Sequence, residues 1–168
     1  MIVILLLCSC AKKVLPPAEW VYEENAIKLE IKSDPMLNLY EGKAHTLYAC
    51  IYQLKTPNGF NQLINDQKGL YKLLDCKIFD SSVALSKSIV VNPDKDTTLF
   101  MDRAEGAIFL AVVAGYYAIE KDRIARLIEN PVFVEKKGWI LTKKTKKPSL
   151  LNIELKLGSN QIKNIKIK

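Results

Sequence analysis

The clearest pattern in the chain is Ala26-Ile27-Lys28-Leu29-Glu30-Ile31-Lys32. Ile27, Leu29 and Ile31 fall on one side, and Lys28, Glu30 and Lys32 on the other. That is a strand with one dry and one wet face. Ser33-Asp34-Pro35 ends it, because proline brings no N–H to a ladder. A loop to about His45 follows. Thr46 to Leu54 is largely apolar on both faces, so it predicts a strand covered on each side. A facing sheet supplies one cover, and the next segment supplies the other. After the breaker cluster Thr56-Pro57-Asn58-Gly59, Phe60, Leu63 and Ile64 recur at helical spacing, as do Leu70, Leu73 and Leu74. This predicts two short helices, interrupted near Gly69, on the outer face of the sheet.

More strands follow. Ser86 to Val91 is closed by Asn92-Pro93, and Thr97 to Met101 lies beyond the turn Asp94-Lys95-Asp96. Ala107 to Ile119 is apolar almost throughout and reads as a central strand buried on both faces. Arg123 to Glu135 holds a strand broken at Pro131. Gly138 to Leu141, Leu151 to Leu157 and Gln161 to Ile167 complete a set of seven to nine strands. Turn signals at this spacing favour an antiparallel β-sandwich of mainly β class. We assign it to residues 26–168, with a helical insert at about 58–75 and no internal repeat.

The first residues do not fit that domain. Ile2 to Leu7 is an apolar run far shorter than the roughly 20 residues of a membrane-spanning helix. It suits the end of a secretory signal, in which an apolar stretch leads to small residues and a cut. Leu7-Cys8-Ser9-Cys10 resembles the lipobox of bacterial lipoproteins. The resemblance makes Cys10 the lipidated residue and mature N-terminus, and residues 1–9 a signal peptide. No Lys or Arg precedes the apolar run, so the expectation is a signal peptide truncated at its N-terminus. Ala11, next to the modified cysteine, points by the same resemblance to the outer membrane. Residues 10–25 then form a lipidated tether. Fully extended, residues 11 to 25 reach at most roughly 50 Å.

Composition changes the picture in two respects. The net charge is +7, mostly from lysine, and none of it lies in the first nine residues. For an exported protein this favours anionic headgroups or an acidic protein face over nucleic acid. The two cysteines of the domain, Cys50 and Cys76, can form a disulfide in an oxidising compartment. They can equally be buried free thiols. Sequence does not place their Cα atoms, so the thiol reading leads narrowly.

Catalytic equipment is sparse. His45 is the only histidine, and Glu23-Glu24 and Asp94-Asp96 read as solvated carboxylates. We find none of the common metal, nucleophile or phosphate-binding motifs, and expect no enzyme activity, metal, cofactor or small-molecule substrate.

Ile51-Tyr52-Gln53-Leu54, then Phe60 and Leu70-Tyr71, resembles the type VI secretion lipoprotein family, often called TssJ, SciN or VasD. Val112-Val113-Ala114-Gly115-Tyr116-Tyr117 is similar to that family's central strand, and Ile153 to Ile162 to its closing hairpin. The resemblance implies a transthyretin-like sandwich, lipid-anchored on the periplasmic face of the outer membrane. It implies a structural role: anchoring and nucleating a trans-envelope complex by binding the periplasmic domain of the inner-membrane TssM component. In that family the loop between the first two strands contacts the partner. Here that loop is Pro35-Met36-Leu37-Asn38-Leu39-Tyr40, unusually apolar for a loop. Lys143 to Pro148 reads as a solvated turn, in preference to a patch that attracts acidic headgroups. The alternative reading is a periplasmic lipoprotein that binds a small ligand or sugar, with Tyr48 and Tyr52 as a candidate aromatic pair.

Overall fold

The structure, a computed structural model, describes residues 15–138 and 143–168. The signal sequence, Cys10, and Trp139 to Leu141 of the expected strand Gly138 to Leu141 lie outside the described residues.

Two four-stranded sheets face each other. The first has β1 (Glu23–Ser33) and β4 (Thr97–Arg103) beside β9 (Leu151–Leu157) and β10 (Ile162–Ile167), in the order β10-β9-β1-β4. The second is ordered β3-β2-β5-β6, from β2 (Leu47–Leu54), β3 (Val83–Val91), β5 (Phe109–Ala114) and β6 (Ala125–Glu129). A separate hairpin joins β7 (Val132–Lys137) to β8 (Lys143–Pro148). The fold is mainly β, as expected.

Alternation explains the first sheet. Ile27, Leu29 and Ile31 of β1 and Leu151, Ile153, Leu155 and Leu157 of β9 are buried between the sheets. Their polar neighbours form an outer ion-pair lattice, in which Lys28 bonds Glu30 at 2.7 Å and Lys168 joins Glu30 to Glu154. β1 and β9 run parallel, with Ile27 opposite Leu151 and Ser33 opposite Leu157. This corrects the all-antiparallel expectation. Alternation reads the same for either direction, so the sequence pattern holds no record of it.

β2 is buried on both faces because α1 (Asn58–Leu63) and α2 (Gln67–Leu74) cover its outer side. The Tyr52 hydroxyl donates to the Leu73 carbonyl at 2.5 Å. Gly69 lies within α2 and does not interrupt it; the break falls at residues 64–66. A Cβ at Gly69 would stand 2.0 Å from the Leu63 carbonyl oxygen, so glycine is what lets α2 begin against the end of α1. Buried Gln53 links the two sheets. Its amide nitrogen donates to the Asp102 carbonyl at 2.8 Å, and its oxygen accepts from the Ala104 amide at 2.7 Å.

Other boundaries shift. The apolar run 107–119 contains only the six strand residues of β5, which stop before Gly115. A single turn, α3 (Lys121–Ile124), precedes β6. Lys143 to Pro148 is a strand, not a turn: Glu135 on β7 sits 3.0 Å from Lys147 and 3.5 Å from Lys137. With no dry face of its own, this hairpin shows no alternation to betray it. Including it, ten strands occur among the described residues.

Candidate partner-binding site

The loop after β1 is apolar yet firmly held. Asp34 starts it: its carboxylate accepts from the Met36 amide at 2.9 Å and pairs with Lys163. Leu37 points inward and is fully buried, and the His45 amide donates to its carbonyl at 2.9 Å. Asn38 is buried with φ at +47°, a left-handed conformation that asparagine tolerates well. Its side chain donates to the Thr46 carbonyl at 3.0 Å and accepts from the Tyr117 amide at 3.1 Å. The Leu39 amide donates to the Ser159 carbonyl at 2.7 Å.

Tyr40 and Lys43 then exchange both backbone hydrogen bonds at 2.9 Å across Glu41-Gly42, where both φ angles are positive. This is the geometry of a type I′ turn, and Gly42 takes it without strain. The turn displays the Tyr40 ring. Tyr117, from the segment after β5, stacks on Tyr40 with centroids 4.2 Å apart, and His45 meets Tyr117 edge-on at 5.3 Å.

The result is a fixed apolar platform of Met36, Leu39, Tyr40 and Tyr117, each between 39% and 54% exposed. A cavity of about 310 Å³ opens beside it, between Leu39, Tyr117 and the β9–β10 turn at Ser159-Asn160. Of the six loop residues expected at the surface, Pro35, Met36, Leu39 and Tyr40 are there. Leu37 and Asn38 are not: one anchors the loop in the core, and the other braces it. Tyr117 was not among the expected residues. Gly115, which marks the end of β5, is the signal that could have placed it on the loop side.

The opposite end of β1 carries the N-terminal segment. The Trp20 carbonyl accepts from the Gly106 amide at 2.6 Å, and the Tyr22 hydroxyl donates to Asp102 at 2.7 Å. Arg103 is buried, pairs with Glu23, donates to the Ser149 carbonyl at 3.1 Å and lies under the Trp20 ring. Residues 20–25, expected in the tether, are therefore fastened to the domain. Because β1 is eleven residues long, about 33 Å separates this end from the tyrosine platform.

Cys50 and Cys76 are joined in a disulfide, with Cα atoms 5.2 Å apart. This reverses the narrow preference for free thiols and leaves neither sulfur as a nucleophile. Tyr52 is sealed beneath α2, whereas Tyr48 is 42% exposed, so the two do not line a common cleft. Among the described residues no cluster of three His, Cys, Asp or Glu side chains could hold a metal ion.

Residues 25–155 match the family model described as type VI secretion lipoprotein, VasD, EvfM, TssJ. The chain belongs to the type VI secretion lipoprotein family. Solved structures agree on the fold. The T6SS lipoprotein TssJ1 from Pseudomonas aeruginosa superposes with a TM-score of 0.60 at 15% identity, covering 91% of this chain and 98% of that one. Serratia marcescens Lip, a membrane-bound component of the type VI secretion system, gives 0.56 at 15% identity, over 84% and 96%. A chain in the structure of the T6SS protein TssM C-terminal domain (869-1107) from EAEC gives 0.58 at 14%, again over 84% and 96%. No curated protein sequence matches the chain. Within this secretion lipoprotein, the family match begins inside β1 and takes in the platform, the helical insert and the disulfide.

Proposed function

We propose that this secretion lipoprotein is a structural anchor without catalytic activity. Acyl chains on Cys10 hold it to the periplasmic face of the outer membrane. The platform of Met36, Leu39, Tyr40 and Tyr117 binds the periplasmic domain of a TssM-like inner-membrane protein, which nucleates the trans-envelope complex. Residues 1–9 are the signal peptide, and the tether runs from Cys10 to the point where Trp20 is fastened.

One observation carries this reading. A rigid, exposed, aromatic-rich surface sits at one end of β1, and the N-terminal segment leaves from the other. A protein bridging a membrane and a partner needs those two attachments apart. Tyrosine and methionine suit an interface core because they bring large contact area. A preformed loop also avoids much of the ordering cost of binding. Two acyl chains or more make anchoring stable without any apolar helix.

The test has two arms. Cells expressing the chain from its native start are grown with labelled palmitate and fractionated; label in the outer-membrane fraction is expected, and Cys10→Ser should abolish it. Purified protein should also capture the periplasmic domain of the TssM-like partner. An unlabelled, freely soluble product overturns the anchor, and failure of capture by folded protein overturns the partner.

A further inference from the structure

The β7–β8 hairpin stands apart from both sheets and has two unlike faces. Register sets Val132 opposite Pro148, Val134 opposite Lys146 and Lys136 opposite Lys144, all on one face. Phe133, Glu135, Lys137, Lys143, Thr145 and Lys147 occupy the other. The acidic residue of the hairpin, Glu135, is on this second face and pairs there with Lys137 and Lys147. The first face thus carries three lysines, no carboxylate, and two valines that are each 46% exposed.

The second face turns towards the N-terminal segment. Phe133, Thr145 and Lys147 line a cavity of about 710 Å³ together with Pro16, Pro17 and Val21, and Lys146 and Pro148 of the first face reach its rim. The chain therefore passes beside this hairpin at Pro16. Cys10 lies six positions before Pro16, a span of at most about 22 Å. An acylated Cys10 would hold the hairpin that close to the bilayer surface.

We propose that the Val132, Val134, Lys136, Lys144 and Lys146 face docks on anionic phospholipid headgroups. The contact orients the domain with the tyrosine platform directed away from the membrane. The proposal rests on the anchor reading only for its placement near the bilayer; the charge and apolar pattern of the face stand independently. Lysine side chains reach the phosphates while their stems and the valines cover the headgroup boundary. Each lysine near such a surface contributes about fivefold in partitioning, so three give on the order of a hundredfold.

The test uses full-length Cys10→Ser protein, which has no acyl chain, in co-sedimentation with sucrose-loaded vesicles. One set is phosphatidylethanolamine mixed equally with phosphatidylglycerol, and the other is phosphatidylethanolamine with phosphatidylcholine. A preference for the anionic vesicles is expected, weakening with added salt. The triple variant K136E/K144E/K146E should lose it by about a hundredfold or more. K136Q/K144Q/K146Q, which adds no charge, should lose most of it, with circular dichroism unchanged in both. Equal binding to both vesicle types, or an anionic preference that survives both triple variants, overturns the proposal. Absence of palmitate label on the native chain sinks the anchor but leaves this vesicle result standing, so the two failures are distinguishable.

Discussion

Tyr40 and Tyr117 lie 77 positions apart in sequence and stack with 16° between their ring planes. One comes from a tight turn before β2, the other from the segment that leaves β5. Asn38 bridges the two segments, so the stack is fixed before any partner arrives. Interface hot spots of this type cost about 2 kcal/mol or more on truncation, which is roughly thirtyfold in affinity. Tyr117→Ala and Leu39→Asp should each weaken capture of the TssM-like domain by at least that factor. Their melting midpoints should stay near the parent's, because both side chains are exposed. Titration by calorimetry beside a thermal melt reads both quantities.

Leu37 belongs to the same loop but should behave oppositely. Its side chain has no exposed surface. An aspartate there would bury a carboxylate without a partner, a cost of several kcal/mol against a typical total of about 5–15. Leu37→Asp should therefore yield unfolded or insoluble protein, and Leu37→Ala should lose about 3 kcal/mol. Urea unfolding curves measure the difference. A folded Leu37→Asp domain would show that the loop does not pack as described.

These two residues illustrate what the chain reveals when read alone. The alternation in 27–31 and the doubly apolar 47–54 point to a two-layer sandwich with one covered outer face, and the helices lie where the period places them. Periodicity does not say which way neighbours run, so the parallel β1–β9 pair is invisible to it. It also fails where neither face is dry, which hid β8 among lysines. In the loop, apolar composition marked a candidate surface, yet composition is the same for Leu37 inside and Leu39 outside. Only the bonds to Asp34, Thr46 and Ser159 separate them. Tyr117 became part of the platform through topology, which brings the end of β5 beside the β1–β2 loop.

The disulfide ties α2's far end to the middle of β2. Its closed loop contains both helices of the insert. In the chain-entropy model such a loop stabilises the fold by about 3 kcal/mol. Replacing both cysteines by alanine should lower the melting midpoint by roughly 6–12 °C for a domain of this size. The platform shares no residue with the insert, so partner capture at low temperature should persist. Calorimetric melts of the double variant against the parent give the shift; an unchanged midpoint would contradict the stabilising role.

Acid should destabilise the domain through its outer charge lattice. Glu30 has its pKa lowered from the ordinary 4.5 to about 2, first by the hydrogen bond from Lys168 and then by that from Lys28. Glu154 is lowered chiefly by Lys168, Asp34 by Lys163, Asp96 by Lys32, Asp102 by the Tyr22 hydroxyl and Glu135 by Lys147. All six hold their protons less tightly folded than unfolded. The unfolded chain therefore binds more protons in the acid range, and stability falls as pH falls. The contribution is complete above the ordinary carboxylate values and disappears as pH drops through the folded ones. On the alkaline side the sign reverses. Hydrogen bonding to Asp102 raises Tyr22 to about 12, burial raises Tyr52 to about 12, and Lys32 and Lys168 rise through their carboxylate partners. Their contribution is present below the ordinary values near 10 and is lost as pH climbs through the raised ones. The melting midpoint should be nearly flat between about pH 5 and 9 and drop on either side. Because the six carboxylates are solvent-facing, salt should make the acid limb shallower. Glu30→Gln removes the most strongly shifted of the six carboxylates and should flatten the fall between pH 4.5 and about 2. Melts across that range, at low and high salt, decide it: a Glu30→Gln curve as steep as the parent's would mean that the lattice contributes nothing to acid sensitivity.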